Sequence, residues 1–305
     1  MTVMNTGHRL GVLAAAFFLL VPAHGAVAQE TGAREVFRVG IVADPQAGTQ
    51  SPRYEPFRKA VTAASGMPTE IDVMRNGAAL IDAKISGRID YAVLSSLGYA
   101  AAQIACNCLA PLAAPTSAEG ARGVRSVLVA DGDKITGIDD LAETGLTFGP
   151  AGSLTGDLVP SASFSFEGNA LRRAGLALER AASFEAARDR FLAGEIAAFF
   201  AWDYADPDGE TSFENGLAAR LSGDPQVGAR TLWTSPVVPF GPHVVSADMP
   251  DVMRARLTAM LVALRDDDPD AFDAIAPALG GGFVAVTEDD YAYASEIVRS
   301  LAGRQ

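Results

Sequence analysis

Cys106 and Cys108 are the two cysteines of the 305-residue chain, and only Asn107 separates them. On an extended segment, residues i and i+2 point the same way, so both sulfurs can face one space. Three chemistries fit the spacing. An i,i+2 disulfide is possible where oxidation is possible, but its tight ring strains the bond and makes it readily reduced. Two buried free thiols without a role are common for cysteine. A pair of thiolates selects soft, thiophilic ligands. The residues alone leave all three open.

Other reactive groups are sparse. The sequence has no G-x-S-x-G elbow, no metal-ligand cluster and no phosphate-loop lysine motif. Of the three histidines, His8 and His24 fall in an N-terminal segment that reads as removable, which leaves His243. His243 follows Pro242 and reads as structural. A hydrolase would have to be built around one histidine and scattered carboxylates, so the expectation is a binding protein, not an enzyme, with no cofactor.

The N-terminal segment has the three-part layout of a secretory signal. Arg9 precedes the apolar run Leu10–Val21, and Ala26-Val27-Ala28 fits a cleavage site before Gln29. The run holds 12 residues, where a spanning helix needs about 20. Residues 1–28 are therefore read as a cleaved signal, and the mature chain as a periplasmic protein that is not membrane-inserted. Losing Arg9, the one charged residue of that segment, takes the formal net charge from −13 to −14. Such an acidic chain repels nucleic acid and anionic lipid, so neither is expected as a partner.

The elements that must position the sulfurs alternate strand and helix. Val36–Val42 reads as a buried strand, Pro52–Ala64 as a helix, Ile71–Met74 as a strand, Ala78–Ser86 as a helix and Ile89–Leu94 as a strand. Ser126–Ala130, Leu146–Phe148 and Ile196–Ala201 read as later strands, with a helix over Phe184–Ala193. His243–Ser246 reads as a strand, and Pro250–Arg265 and Asp289–Leu301 as helices. Helix, glycine and strand follow directly at Gly87 and again at Gly194, the signature of parallel βαβ units in two similar halves. The expectation is an α/β, two-lobed binding protein with a hinge and the ligand in the inter-lobe cleft, at the carboxyl ends of the strands. Lobe one takes 29–130 plus 236–305, and lobe two takes 131–235.

Longer stretches carry a family resemblance. Gly87-Arg88-Ile89-Asp90-Tyr91-Ala92-Val93-Leu94, with Leu97 and Tyr99, is one. Ile138-Asp139-Asp140-Leu141, then Leu146-Thr147-Phe148 and Gly156 with Pro160, is a second. Leu232-Trp233-Thr234-Ser235-Pro236-Val237-Val238-Pro239 is a third. Together they resemble the phosphonate-type periplasmic substrate-binding proteins, the PhnD family, across nearly the whole mature chain. The resemblance implies a Venus-flytrap protein of type II-like fold that closes on its ligand. In that family a Ser/Thr run ending at the glycine matched by Gly156 holds phosphonate oxygens together with the amides of the next helix. Ser153, Thr155 and Gly156 keep the pattern, while Leu154 interrupts it; that leucine either removes a donor from the cradle or packs beneath the loop. The Gly-Pro that often follows the third strand is replaced by Ser95-Ser96. Tyr54 matches the start of the first helix facing the cleft or is a surface residue. Tyr99 matches a cleft tyrosine or packs in the core. Asp203, after Trp202, either receives a ligand amine or caps the next turn.

With the cysteines added, the chain resembles one branch of that family, the periplasmic arsenite-binding proteins of AioX type that report to a membrane histidine kinase. Carried over, Cys106 and Cys108 become arsenic ligands, with Cys106 first. Arsenous acid is uncharged near neutral pH, so it needs sulfur more than a phosphate cradle, and its hydroxyls would meet Ser153 and Thr155. The expected function is arsenite binding and signalling to that kinase. The alternative is delivery of a phosphonate or related oxyanion to an ABC permease.

Overall fold

The computed structural model describes residues 1–2, 35–42, 51–171, 174–207, 213–276 and 278–303. The expected signal segment lies almost wholly outside these residues. The remainder, Glu35–Gln305, forms one compact unit.

The chain begins with β1 (Phe37–Val42), α1 (Glu55–Ser65), β2 (Thr69–Met74), α2 (Gly77–Ile85), β3 (Tyr91–Val93), α3 (Ser96–Cys106) and β4 (Leu109–Ser117). It then crosses to β5 (Gly123–Asp131), α4 (Leu141–Thr144), β6 (Leu146–Phe148), α5 (Val159–Ser163) and a hairpin of β7 (Ser165–Phe166) and β8 (Asn169–Ala170). β9 (Leu178–Arg180), α6 (Phe184–Leu192), β10 (Ala198–Ala205), α7 (Leu217–Ser222), β11 (Ala229–Thr234) and β12 (Val238–Pro239) follow. The return segment holds β13 (His243–Ser246), α8 (Asp251–Asp267), α9 (Pro269–Ile275), β14 (Gly280–Ala285) and α10 (Ala292–Ala302).

These strands make two sheets, ordered β14-β4-β13-β3-β1-β2 and β11-β5-β10-β6-β9, with β12 added beside β5. β1, β2 and β3 run parallel, as do β6, β9 and β10, so each lobe is a mixed α/β layer. β10 pairs with β5 over its whole length. β5, expected at the end of lobe one, is thus a central strand of the second sheet. Val238 and Pro239, in the expected return segment, also pair with β5.

The two helix–glycine–strand junctions recur as expected. Gly87 and Gly194 both take left-handed backbone, at φ 69° and 71°, a region that suits residues without a Cβ. Each lets a helix end and turn directly into the next strand.

Each sheet is covered by apolar clusters on both faces. Val39, Phe57, Val61, Leu257, Leu261 and Phe272 fill one face of the first sheet, and Leu80, Ile89, Leu94, Tyr99, Tyr291 and Ile297 the other. His243 is buried in the first face, where the Tyr91 hydroxyl meets its Nδ1 and Phe57 and Phe283 pack edge-on to its ring. Burial holds its pKa down to about 3, so it is a neutral core residue, as its position after Pro242 suggested.

Candidate functional site

Parallel strands place the start of the following helix at their carboxyl edge, and both lobes use this. β3 ends at Val93, and α3 opens three residues later with Ser95 as its cap, accepting a hydrogen bond from the Gly98 N–H at 3.1 Å. In lobe two β6 ends at Phe148, and a loop leads into a π-helical turn, Leu154–Leu158, that continues into α5.

That loop is braced from every side. The Gly149 N–H donates to the Gly156 carbonyl at 2.9 Å. A Cβ on Gly156 would stand 2.8 Å from the Gly149 Cα and 3.0 Å from the Phe184 ring, so the close approach requires glycine here. The Ser126 hydroxyl donates to the Thr155 carbonyl at 2.6 Å, and the Ser153 hydroxyl to the Pro150 carbonyl at 2.6 Å. Asp157 accepts from the Gly152 N–H at 2.7 Å and pairs with Arg180 at 2.9 Å. Its pKa is lowered by the Arg180 and Gly152 hydrogen bonds against the opposing pull of burial. Arg180 also lies over the Phe148 ring.

The bracing consumes carbonyls and leaves amides. Among the described residues, the N–H groups of Leu154, Thr155 and Gly156 meet no acceptor, and neither do those of Ser96 and Leu97. The same end of α3 carries two buried hydroxyls without a partner, Ser96 Oγ and Tyr99 OH, on residues 5 % and 1 % exposed. Positions i and i+3 lie on one helix face. Tyr99 packs edge-on to Tyr291 with ring centroids 4.8 Å apart, and the Tyr291 hydroxyl donates to the Phe240 carbonyl at 2.8 Å. Burial, then Glu288, raises the Tyr99 pKa well above its usual range, so the hydroxyl keeps its proton. Arg122 sits on the outward crossing, with its carbonyl taking the Phe240 N–H at 3.0 Å and its Nε buried without an acceptor. The arrangement offers donors to a ligand rich in oxygen.

Several residues singled out from the sequence are committed elsewhere. Leu154 packs against the apolar cluster that includes Leu94 and Tyr99. Tyr54 is buried in the opposite cluster of the first sheet, with the Arg53 guanidinium over its ring. Asp203 accepts the Ala219 N–H at 2.8 Å and so caps α7. Burial raises its pKa, partly offset by that bond. Ser153, Thr155 and Gly156 come together in the lobe-two loop, and Tyr99 in the lobe-one helix start. Ser96 entered the sequence reading only within the Ser95-Ser96 that replaces the family's Gly-Pro, and Arg122 carried no signal: a lone arginine in a crossing looks like an ordinary polar residue.

Cys106 and Cys108 are joined by a disulfide. Neither sulfur is a thiolate in this state, so the free thiols that arsenite needs are not present. The pair also lies at the opposite end of α3 from Ser96, ten residue rises or roughly 15 Å along the helix. Strand pairing agrees. Leu109 opens β4 beside Ser246, at the edge of the sheet where β3 begins, not where it ends.

No helix among the described residues is long and apolar enough to cross a membrane. A profile described as the ABC transporter, phosphonate, periplasmic substrate-binding protein family matches residues 39–291. Solved structures similar to the chain share its fold. A binding protein of a phosphonate ABC transporter from Pseudomonas aeruginosa is 19 % identical, with 90 % of each chain covered and a TM-score of 0.51. PhnD1 from Prochlorococcus marinus, in complex with methylphosphonate, is 16 % identical over 88 % of this chain and 98 % of that one, with a TM-score of 0.54. XAC2383 from Xanthomonas citri, bound to chloride, is 15 % identical over 89 % and 100 %, with a TM-score of 0.59. No curated relative matches the chain.

Proposed function

We propose a ligand and a partner from one premise: the chain belongs to the periplasmic substrate-binding proteins of phosphonate ABC transporters, a family of binding proteins and not of enzymes. The ligand is a small oxyanion of the phosphonate class, held between the two helix starts and delivered to an ABC permease. One observation carries this reading. Five backbone N–H groups and the hydroxyls of Ser96 and Tyr99 are left without acceptors at the carboxyl edges of the two sheets. A buried hydroxyl without a partner costs about 1–3 kcal/mol, and oxygens of a bound oxyanion would relieve it. Helix starts favour negative charge through their free amides, and Arg122 adds a cation to a chain whose net charge is −13. Ser153, Thr155 and Gly156 form the lobe-two half of the cradle. Tyr54 and Asp203 contribute as packing and cap.

Arsenite is the second reading. It is favoured by Cys106, which ends the helix whose start carries Ser96 and Tyr99, with Cys108 two residues on, and by Leu154, an apolar residue within the Ser153–Gly156 stretch. It requires that Cys106 and Cys108 first be reduced, and its partner would be a membrane histidine kinase.

Calorimetric titration with aminoethylphosphonate, phosphate, arsenate and arsenite, each with and without reductant, separates the two. The oxyanion reading expects saturable phosphonate or phosphate binding that reductant and Cys106→Ser leave unchanged. Arsenite binding that appears only after reduction and vanishes in Cys106→Ser would replace it with the sensor reading. Failure of every oxyanion to saturate would remove the first reading outright.

A further inference from the structure

The Cys106–Cys108 bridge lies at the end of α3 away from Ser96, in a corner that other bonds also fasten. The Asn107 N–H donates to the Gln103 carbonyl at 2.7 Å, closing the last turn of α3. The Leu109 N–H donates to Gln103 Oε1 at 3.0 Å, and Gln103 Nε2 to Asn107 Oδ1 at 3.4 Å. The Ala247 N–H donates to the Cys108 carbonyl at 2.8 Å, tying the start of β4 to the end of β13. The corner is thus fastened on each side of the disulfide by bonds that do not involve sulfur. A bridge across one intervening residue also closes almost no loop, so it removes little freedom from the unfolded chain.

The two cysteines are not sealed in the core. Both cysteines are partly exposed at the rim of an apolar cluster, with Asn107 exposed between them. Ile104, 44 % exposed, and Ile85, 38 % exposed, are apolar side chains near the ends of the two neighbouring helices that meet at this pole. A partly exposed disulfide in a corner that other bonds also fasten, beside exposed apolar side chains, has the features of a site made for exchange.

We infer that Cys106–Cys108 is a thiol-exchange site on the folded protein, acted on by a dithiol reductant at the pole of lobe one opposite the ligand cradle. A thiolate of the reductant attacks one sulfur. The Cys106–Cys108 bond breaks, a mixed disulfide forms, and the other cysteine leaves as a thiolate and takes up a proton. The second thiol of the reductant loses its proton and displaces the first cysteine. The products are two cysteine thiols and an oxidised, disulfide-bonded reductant, a transfer of two electrons and two protons. The inference does not rest on which ligand the cleft holds.

The test uses dithiothreitol on the native chain, followed by maleimide trapping, intact-mass measurement and circular dichroism. The expected result is two labels per molecule at reductant concentrations that leave the far-ultraviolet spectrum unchanged. The double variant Cys106→Ser/Cys108→Ser should take no label and melt within a few degrees of the wild-type protein. Labelling that appears only in denaturant would overturn the inference. So would a double variant that loses its cooperative melt, since the bridge would then be a structural staple. Oxyanion titrations of the reduced protein report on the ligand reading separately, because neither outcome of the labelling depends on them.

Discussion

At the scale of single residues, Tyr99 is the most informative side chain. Its ring is core, packed on Tyr291, while its hydroxyl is buried with no acceptor. A group that only stabilised the fold would not carry that penalty. Tyr99→Phe should therefore act in opposite directions on two measurements. The unliganded melting temperature should hold or rise, because an unsatisfied hydroxyl is removed. Oxyanion affinity should fall about 5- to 30-fold, the equivalent of about 1–2 kcal/mol for one lost hydrogen bond. Melting curves and calorimetry on the same preparations check both, and a lower melting temperature with unchanged affinity would assign the hydroxyl to the fold. The sequence shows Tyr99 as a residue with two possible roles but cannot show that the ring and the hydroxyl divide them. That division depends on Tyr291 and Phe240, which lie more than 100 positions downstream. The cysteine pair was visible at once; its bridging and its distance from the helix start were not, because both depend on where α3 ends and how the chain turns at Asn107.

At the scale of elements, Asp203 shows how a residue near a strand end can serve the next helix. β10 continues to Ala205, two residues past it, and the carboxylate turns to the start of α7. Replacing a capping side chain by alanine typically costs about 1 kcal/mol, so Asp203→Ala should be less stable by that amount. Asp203→Asn keeps the acceptor oxygen and loses the buried charge. Burial raises the folded pKa of Asp203 above its unfolded value, so its stabilising contribution is fully present below the unfolded pKa and is lost as pH rises through the folded one. The asparagine variant should gain on the wild-type protein as pH climbs from 4 to 7 in urea unfolding. Equal stability of the alanine and asparagine variants at pH 7 would show that the cap is idle.

Element existence was largely legible from period and punctuation. The strands around Gly87 and Gly194 and the long α8 fall close to where their patterns put them. β4 did not show itself, for a physical reason. It carries Pro111 and Pro115 in a central strand, where proline normally removes a ladder hydrogen bond. The structure accommodates them at register irregularities, one near Val244 opposite Pro111 and one near Phe283 opposite Pro115. That β5 joins the second sheet was not legible either: a strand next to a crossing has the same local pattern whichever sheet it joins.

At the scale of the whole molecule, the two lobes are held by more than their crossings. α10 packs on α3 of lobe one and on α5 of lobe two. The Tyr293 hydroxyl meets the Ser163 hydroxyl at 2.8 Å, and the Ser300 hydroxyl donates to the Ala162 carbonyl at 3.1 Å. A protein that closes on its ligand by hinge bending must keep or break these bonds as it opens. Net hydrogen bonds of about 1 kcal/mol each make the pair worth about 2 kcal/mol, a shift of about 30-fold in an open–closed equilibrium. The variant Tyr293→Phe/Ser300→Ala removes both without touching a cradle residue. In solution scattering, the unliganded variant should be more expanded than the wild-type protein, and saturating oxyanion should restore the compact form. Its apparent affinity should fall by up to about 30-fold, because only the closed fraction binds well. Identical scattering and affinity in the two proteins would mean that α10 travels with one lobe and that closure is governed by the crossings at Arg122 and Phe240 alone.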